Sequence, residues 1–217
     1  MFIGHYGPAA ALAGRRIKLW HGFVAVQFLD ILWAPFVLLG VEHVRIVENF
    51  TASNHFDLYD MPYTHSLVMA VVWSIVAGAG YMALRKRAGL TGGFIIGALV
   101  FSHWVLDFVT HKPDLELWIG GPKVGLALWD NRPIAVSTEY VLLVAGLGLY
   151  LARTRAKSVM GHIAPVVLFV LLAAAQLFGN FGPPPVSAAM AAQSAIVAYL
   201  IFAALAAWLD ATRRMKG

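Results

Sequence analysis

The segment GFIIGALVFSHWVLDFVTH, residues 93–111, decides the fold of this chain. Its apolar run is long enough to contribute a helix that crosses a bilayer. The same segment carries His103, Asp107 and His111, which are spaced at i, i+4 and i+8 and therefore form one stripe on a helix face. Ionisable groups inside a membrane span are energetically expensive, so each one indicates a functional role. The segment thus predicts a transmembrane helix that carries part of a site.

The composition of the whole chain agrees with a membrane protein. Of its 217 residues, 60% are hydrophobic and 12% are charged, and the mean hydropathy is +0.73. A soluble domain of this size cannot bury so much apolar surface. The absence of cysteine excludes disulfides, thiolate catalysis and cysteine-based zinc sites. We therefore expect residues 1–217 to form a single membrane-embedded domain.

Six apolar segments approach the length needed to span a membrane, which predicts an all-α, polytopic transmembrane helix bundle. They are residues 19–40, 63–84, 90–110, 134–152, 160–178 and 187–209. Residues 1–14 are apolar but too short to span. We interpret them as a short N-terminal re-entrant helix with His5 at its deep end, and a helix lying at the interface is the alternative.

The basic residues follow the alternation of the spans. Twelve of the 16 Lys and Arg residues lie in four clusters on one side, at residues 15–18, 85–87, 153–157 and 213–216. The positive-inside rule then places both termini in the cytoplasm, as expected for a multi-pass protein of the bacterial inner membrane. The net charge of +5 is explained by this topology and does not indicate nucleic acid as a partner. Membrane lipids are the expected partners.

The polar residues within the predicted spans agree in depth. Measured from the basic clusters at the helical rise, Asp30 and His103 lie about 18 Å up their spans and Glu139 about 21 Å. On the re-entrant interpretation His5 reaches the same layer, and His65, Asp107 and His111 lie just above it. Imidazole and carboxylate groups together suit Zn²⁺, Mn²⁺ or Fe²⁺, whereas Mg²⁺ prefers oxygen ligands alone. A divalent metal site is favoured over buried His–Asp pairing or an ion pathway.

Four short motifs also resemble a known family. They are FIGH at residues 2–5, FLDILW at 28–33, YTHS at 63–66 and SHWVLDFVTH at 102–111. Together they resemble the bacterial inner-membrane family of metal-dependent hydrolases, whose motifs are similar to those of zinc-dependent phospholipase C-like enzymes. The resemblance covers residues 1–115, and it implies metal-ligand roles for His5, Asp30, His65, His103 and Asp107. The chain differs from the family in having one aspartate in FLDILW and Met61-Pro62-Tyr63 where a basic residue usually precedes the THS motif.

These observations lead to an expected function. We expect a membrane-embedded metal-dependent hydrolase acting on a lipid or lipid-linked phosphoester, with zinc as the first choice of metal. Glu139 is the candidate general base or a further ligand, and Ser66, with Tyr63, is a candidate for substrate contact. The alternative is a metal-ion or proton transporter or channel that uses the same residues. Hydrolysis ranks above transport because GFIIGALVF and VLLVAGLGLYL, the cytoplasmic halves of two spans, contain no group that carries an ion.

Overall fold

The computed structural model describes residues 1–216 and confirms the all-α helical bundle. Its helices are α1 (Tyr6–Leu12), α2 (Leu19–Val26), α3 (Phe28–Leu38), α4 (Leu67–Leu84), α5 (Gly89–Thr110), α6 (Arg132–Arg153), α7 (Met160–Phe181) and α8 (Ala188–Thr212). Helices α4 to α8 are each long and apolar enough to cross a membrane. Helices α2 and α3 are long and apolar enough together, with a bend of 47° at Gln27, and they give a sixth candidate span when the pair is counted as one.

The N-terminal segment lies inside the bundle and not on its surface. A short 3-10 turn, Ile3–His5, leads into α1, which packs between α6 and α2. Ile3, His5 and Tyr6 are fully buried. A helix lying at the interface would leave one face exposed. Residues 1–10 include no exposed residue, and Leu12 at the end of α1 is the first, so their burial supports the inserted arrangement.

A pair of glycines allows the N-terminal segment to approach α6 this closely. A Cβ built on Gly146 would overlap the carbonyl of Gly7, and one built on Gly7 would overlap the carbonyl of Leu142. Glycine is therefore required at this crossing for steric reasons. A second crossing of the same kind joins α4 and α5, where Gly93 lies against Gly78 and Gly97 lies against the backbone of Ser74. Gly93 and Gly97, which are four positions apart on α5, therefore allow α5 to pack closely against α4.

Six short strands, which the sequence did not predict, form three antiparallel pairs. They are β1 (His43–Ile46) with β2 (Phe56–Asp60), β3 (Leu115–Glu116) with β4 (Lys123–Val124), and β5 (Thr154–Ala156) with β6 (Arg213–Met215). The first two pairs belong to the two long loops, of which the first joins α3 to α4 and the second joins α5 to α6. The third pair directly continues α6 and α8 and ties their ends together. Strands of two to five residues are too short to show the alternation by which a strand is recognised in sequence.

The basic clusters meet at one end of the bundle, which we call the basic end. The Arg16 side chain donates a hydrogen bond to the Arg87 carbonyl at 3.5 Å, and Arg153 donates to the Ala11 carbonyl. Met215 lies 3.8 Å from the Cβ position of Gly14. The loops that contain β1–β2 and β3–β4 lie at the opposite end, which we call the loop end. The structure thus separates the four basic clusters from the acidic loops.

Replacing Gly146 by alanine tests the close approach of the N-terminal segment. The added methyl group overlaps the Gly7 carbonyl, so we expect Gly146→Ala to lower the free energy of unfolding by about 1–3 kcal/mol. Gly148→Ala on the same helix meets open space and should be neutral or slightly stabilising. Thermal unfolding of both variants in detergent measures the difference. Equal midpoints would show that the Gly7–Gly146 contact does not constrain the fold.

Candidate metal centre

Four side chains from three parts of the chain direct one atom each toward a common point. They are Asp30 on α3, His65 just before α4, and His103 and Asp107 on α5. His65 Nε2 lies 3.3 Å from His103 Nε2, 3.3 Å from Asp30 Oδ1 and 3.8 Å from Asp107 Oδ2. His103 Nε2 lies 3.6 Å from Asp30 Oδ1 and 3.0 Å from Asp107 Oδ2. We call these four side chains the donor set.

The spacing of the donor set fits a single small cation. Four ligands at zinc–nitrogen and zinc–oxygen bond lengths of about 2.0–2.1 Å around a tetrahedron are separated by about 3.3 Å from one another. The five separations given above run from 3.0 to 3.8 Å and cluster around that value. Five of the six separations within the donor set are therefore compatible with one small cation, and the donor atoms are nitrogens and oxygens that could hold a metal ion.

The bend in the first span fixes the tautomer of His103. Gln27 leaves the helical conformation with φ −103° and ψ 10°, and this interruption separates α2 from α3. In an unbroken helix the Val26 carbonyl would accept a hydrogen bond from the backbone amide of residue 30. Here it accepts a hydrogen bond of 2.6 Å from His103 Nδ1. A carbonyl only accepts, so Nδ1 carries the hydrogen of the neutral ring. Nε2 then presents a lone pair to the donor set, as a metal ligand must.

A carboxylate in the first long loop orients His65 in the same way. Glu42 is fully buried, and it accepts hydrogen bonds from the backbone amides of Tyr63 and Thr64 and from the Thr64 hydroxyl at 2.7 Å. Because that hydroxyl donates to Glu42, its oxygen accepts from His65 Nδ1 at 2.7 Å. Burial raises the pKa of Glu42. The chain Glu42–Thr64–His65 leaves His65 Nε2 as a second lone pair aimed at the donor set.

The donor set is therefore composed of four acceptors that face one another. Two neutral imidazole nitrogens and two carboxylate oxygens offer no hydrogen with which to bond, and their side chains are buried apart from that of Asp30. Buried carboxylates require a compensating cation. A divalent ion balances the two carboxylate charges and gives every lone pair a partner. Protonation of an imidazole is the other way to satisfy the cluster.

The second oxygen of Asp107 is held from the opposite side. Asp107 Oδ1 lies 3.1 Å from His5 Nε2, 2.6 Å from the amino nitrogen of Met1 and 3.5 Å from His111 Nε2. The His5 ring also stacks on His103, with centroids 4.0 Å apart and planes 3° apart. His5, His103 and Asp107 form a second group close enough to hold a metal, which overlaps the donor set. His5 reaches Asp107 through Oδ1, whereas His65 and His103 reach it through Oδ2, so the two groups share Asp107 from opposite sides.

Asp30 differs from the rest of the donor set in its exposure. Its side chain is 18% exposed, whereas those of His65, His103 and Asp107 are at most 3% exposed. Asp30 Oδ2 accepts a hydrogen bond of 2.6 Å from the hydroxyl of Tyr199, which lies on α8. Asp30 is therefore the member of the donor set that lies at an exposed edge, and its helix α3 packs against α8.

The structure places the remaining predicted residues elsewhere. Glu139 Oε2 accepts hydrogen bonds from the backbone amides of Phe2 and Gly4, at 2.8 and 3.1 Å, and so anchors the N-terminal segment. Ser66 is the N-cap of α4, where its hydroxyl accepts from the Met69 amide at 3.4 Å. In this arrangement neither Glu139 nor Ser66 faces the common point of the donor set.

Three residues that serve the donor set were not identified from the sequence. Thr64 stands within the YTHS motif, and its position next to His65 was the available signal. Tyr199 is a hydroxyl in the middle of the last predicted span, where any polar group is informative. Glu42 lies in a loop of ordinary composition, and no local pattern reveals that its carboxylate turns inward.

Comparisons with family models, with curated proteins and with solved structures give no match to this chain. The function is therefore argued from the chemistry and geometry of the donor set, together with the sequence motifs.

Removing the Thr64 hydroxyl tests whether the Glu42–Thr64–His65 chain tunes a metal ligand. Thr64→Val keeps the shape of the side chain but leaves His65 Nδ1 without its partner, so we expect metal affinity to fall by about 10–100-fold. Thr64→Ser retains the hydroxyl and should retain the affinity. Thr212→Val removes a hydroxyl that bonds only the Leu209 carbonyl at the basic end, and it is the distant control. Competition with a chelator measures the affinities, and an unchanged Thr64→Val would contradict this role.

Proposed function

We propose that this protein is a membrane-embedded, metal-dependent hydrolase that acts on a lipid or lipid-linked phosphoester. The observation that carries the proposal is the donor set, in which each of two oriented imidazoles lies 3.0–3.8 Å from the other imidazole and from both carboxylates. The resemblance of the motifs to inner-membrane metal-dependent hydrolases supports the same function. Zn²⁺ is the first choice of ion, and Mn²⁺ and Fe²⁺ suit the same donors.

A divalent ion, when bound, supplies Lewis acidity that activates water and polarises the scissile group. His65, His103 and Asp107 are held rigidly by Thr64, Val26 and His5, so these three form the fixed part of the donor set. A hydrolytic site needs a position that water or substrate can occupy. Asp30 is the donor at the exposed edge. We therefore assign to it the position that water or substrate can take, and the role of accepting a proton from the attacking water.

The position of Asp30 supports a lipid as the substrate. Asp30 lies on α3 and its partner Tyr199 on α8, and both helices belong to membrane spans. An exposed edge between two spans is accessible to a molecule whose polar group lies near the membrane and whose tails remain in it. A phosphoester also offers the anionic oxygens that a metal and a nearby tyrosine hydroxyl bind.

The orientation of the bundle belongs to the same proposal. The positive-inside rule assigns the basic end, which includes strand β6 near the C-terminus, to the cytoplasm of a bacterial inner membrane. The expectation that both termini lie on that side does not extend to the Met1 amino group, which is buried beside Asp107. The loop end, with Glu42 and the two strand pairs, then faces the opposite compartment. The donor set would act on lipids or lipid-linked molecules presented from that side.

Transport of protons or metal ions is the second candidate, and one observation favours it. On the basic-end side of Asp30, four buried polar atoms have no hydrogen-bond partner among the described residues: both amide atoms of Gln27, the Tyr6 hydroxyl and His21 Nε2. A polar path toward the basic end would use such groups. Hydrolysis ranks first because the donor set, whose histidines have orienting partners, lies at the depth of Asp30 itself.

Turnover measurements distinguish the two candidates. Metal-loaded protein in mixed micelles should release the headgroup from some member of a panel of phospholipids and polyprenyl phosphates. We expect His65→Ala to abolish release because a ligand is lost, and Asp30→Asn to reduce it by at least about 100-fold while metal remains bound. His162→Ala changes a histidine outside the donor set and is the matched control.

The same protein in liposomes should show no flux of metal ions or protons. Flux that requires Asp30 and Gln27, together with no turnover across the panel, would reverse the ranking. Turnover that survives His65→Ala at the rate of the control would remove the donor set from the reaction.

A further inference from the structure

The strand pair at the basic end places two arginines opposite each other. In the β5–β6 register, Arg155 on β5 pairs with Arg214 on β6. Side chains at directly opposite positions of an antiparallel pair lie about 5 Å apart at Cβ and point to the same face. Both arginines are exposed. Two like charges in this arrangement repel each other, so the pairing destabilises the strands unless an anion lies between them.

The neighbouring basic side chains have partners within the protein. Lys157 donates to the Ala211 carbonyl near the end of α8 at 2.9 Å, and Lys216 donates to the Ala152 carbonyl near the end of α6 at 2.7 Å. Both lysines thus compensate helix C-termini. Arg213 is buried and donates to Thr154 and to Gly161. Within residues 1–216, the Arg155 and Arg214 guanidinium groups have no hydrogen-bonding or acidic partner of this kind.

The charge balance of the basic end leaves an external anion as the remaining partner for the Arg155 and Arg214 guanidinium groups. This end carries twelve of the chain's 16 Lys and Arg residues, whereas Asp210 is the one acidic residue of the 11 that lies there. Asp210 is already occupied, since it accepts hydrogen bonds from the Tyr150 hydroxyl at 3.0 Å and from the Trp20 amide at 3.3 Å. The acidic residues of the loops lie at the other end of the bundle.

We propose that Arg155 and Arg214 bind the phosphate of an anionic phospholipid. The strands begin where the spanning helices α6 and α8 end, so the two guanidinium groups lie at the level of lipid headgroups. Guanidinium groups bind phosphate oxygens in a bidentate manner, and two of them facing one phosphate neutralise the repulsion across the strand pair. The bound lipid would hold the ends of α6 and α8 together. This site is separate from the donor set and does not depend on the proposed hydrolase.

Lipid binding is measured by native mass spectrometry of delipidated protein titrated with phosphatidylglycerol or with phosphatidylcholine. We expect wild-type protein to prefer phosphatidylglycerol by at least about tenfold. Arg155→Gln with Arg214→Gln should lower the affinity for phosphatidylglycerol by about 10–30-fold, since basic residues near an anionic surface contribute about 1 kcal/mol each. Lys86→Gln with Arg87→Gln removes the same charge from the same end, away from the strand pair, and should change the affinity by less than about threefold.

Two further arms distinguish a bound lipid from diffuse surface charge and from a free anion. Arg155→Lys with Arg214→Lys keeps the charge and disturbs folding least, and we expect a several-fold loss of affinity because the bidentate geometry is lost. Inorganic phosphate at millimolar concentration should not displace phosphatidylglycerol. Equal losses of affinity in the Arg155→Gln/Arg214→Gln variant and in the Lys86→Gln/Arg87→Gln variant would show that binding depends on diffuse surface charge, and would overturn the site. Displacement by inorganic phosphate would show a site for a free anion and overturn the lipid assignment.

Discussion

The hydrogen bond from His103 Nδ1 to the Val26 carbonyl connects the fold of this protein to its chemistry. The carbonyl is available because the first span is interrupted at Gln27, and the bond in turn directs His103 Nε2 at Asp30, His65 and Asp107. With His65 oriented by Thr64 in the same manner, four acceptors face one another in an apolar bundle. Such a cluster needs either a cation at its centre or a proton on one of its imidazoles, and the bend and the orienting partners leave both Nε2 lone pairs available to a cation.

Much of this architecture could be predicted from the sequence, and the reasons are physical. Membrane spans must be long, apolar and helical, so composition and length determined the all-α bundle. The helical repeat placed His103 and Asp107 on one face of α5, and equal depth suggested Asp30 as their neighbour. These features follow from local periodicity and from distance along a helix axis, both of which are encoded in short stretches of sequence. The structure places His65 and His103 within 4 Å of both Asp30 and Asp107.

The partners that orient the ligands could not be predicted, because each depends on contact between distant segments. Glu42 and Val26 reach histidines 23 and 77 positions away, and neither belongs to a pattern that sequence alone displays. Glu139 was expected near the ligands because its depth is right, but its carboxylate turns to the amides of Phe2 and Gly4. Depth along a span does not determine the direction in which a side chain points around the helix.

X-ray absorption at the metal edge of protein purified without chelator tests the central claim most directly. The account predicts one Zn²⁺, Mn²⁺ or Fe²⁺ ion per chain, with imidazole nitrogens and carboxylate oxygens at about 2.0–2.2 Å. It also predicts that His103→Ala loses the ion, whereas His162→Ala, at a histidine outside the donor set, retains it. Protein that folds with full stability and no transition metal, or a bound metal whose spectrum shows no histidine ligand, would contradict the account.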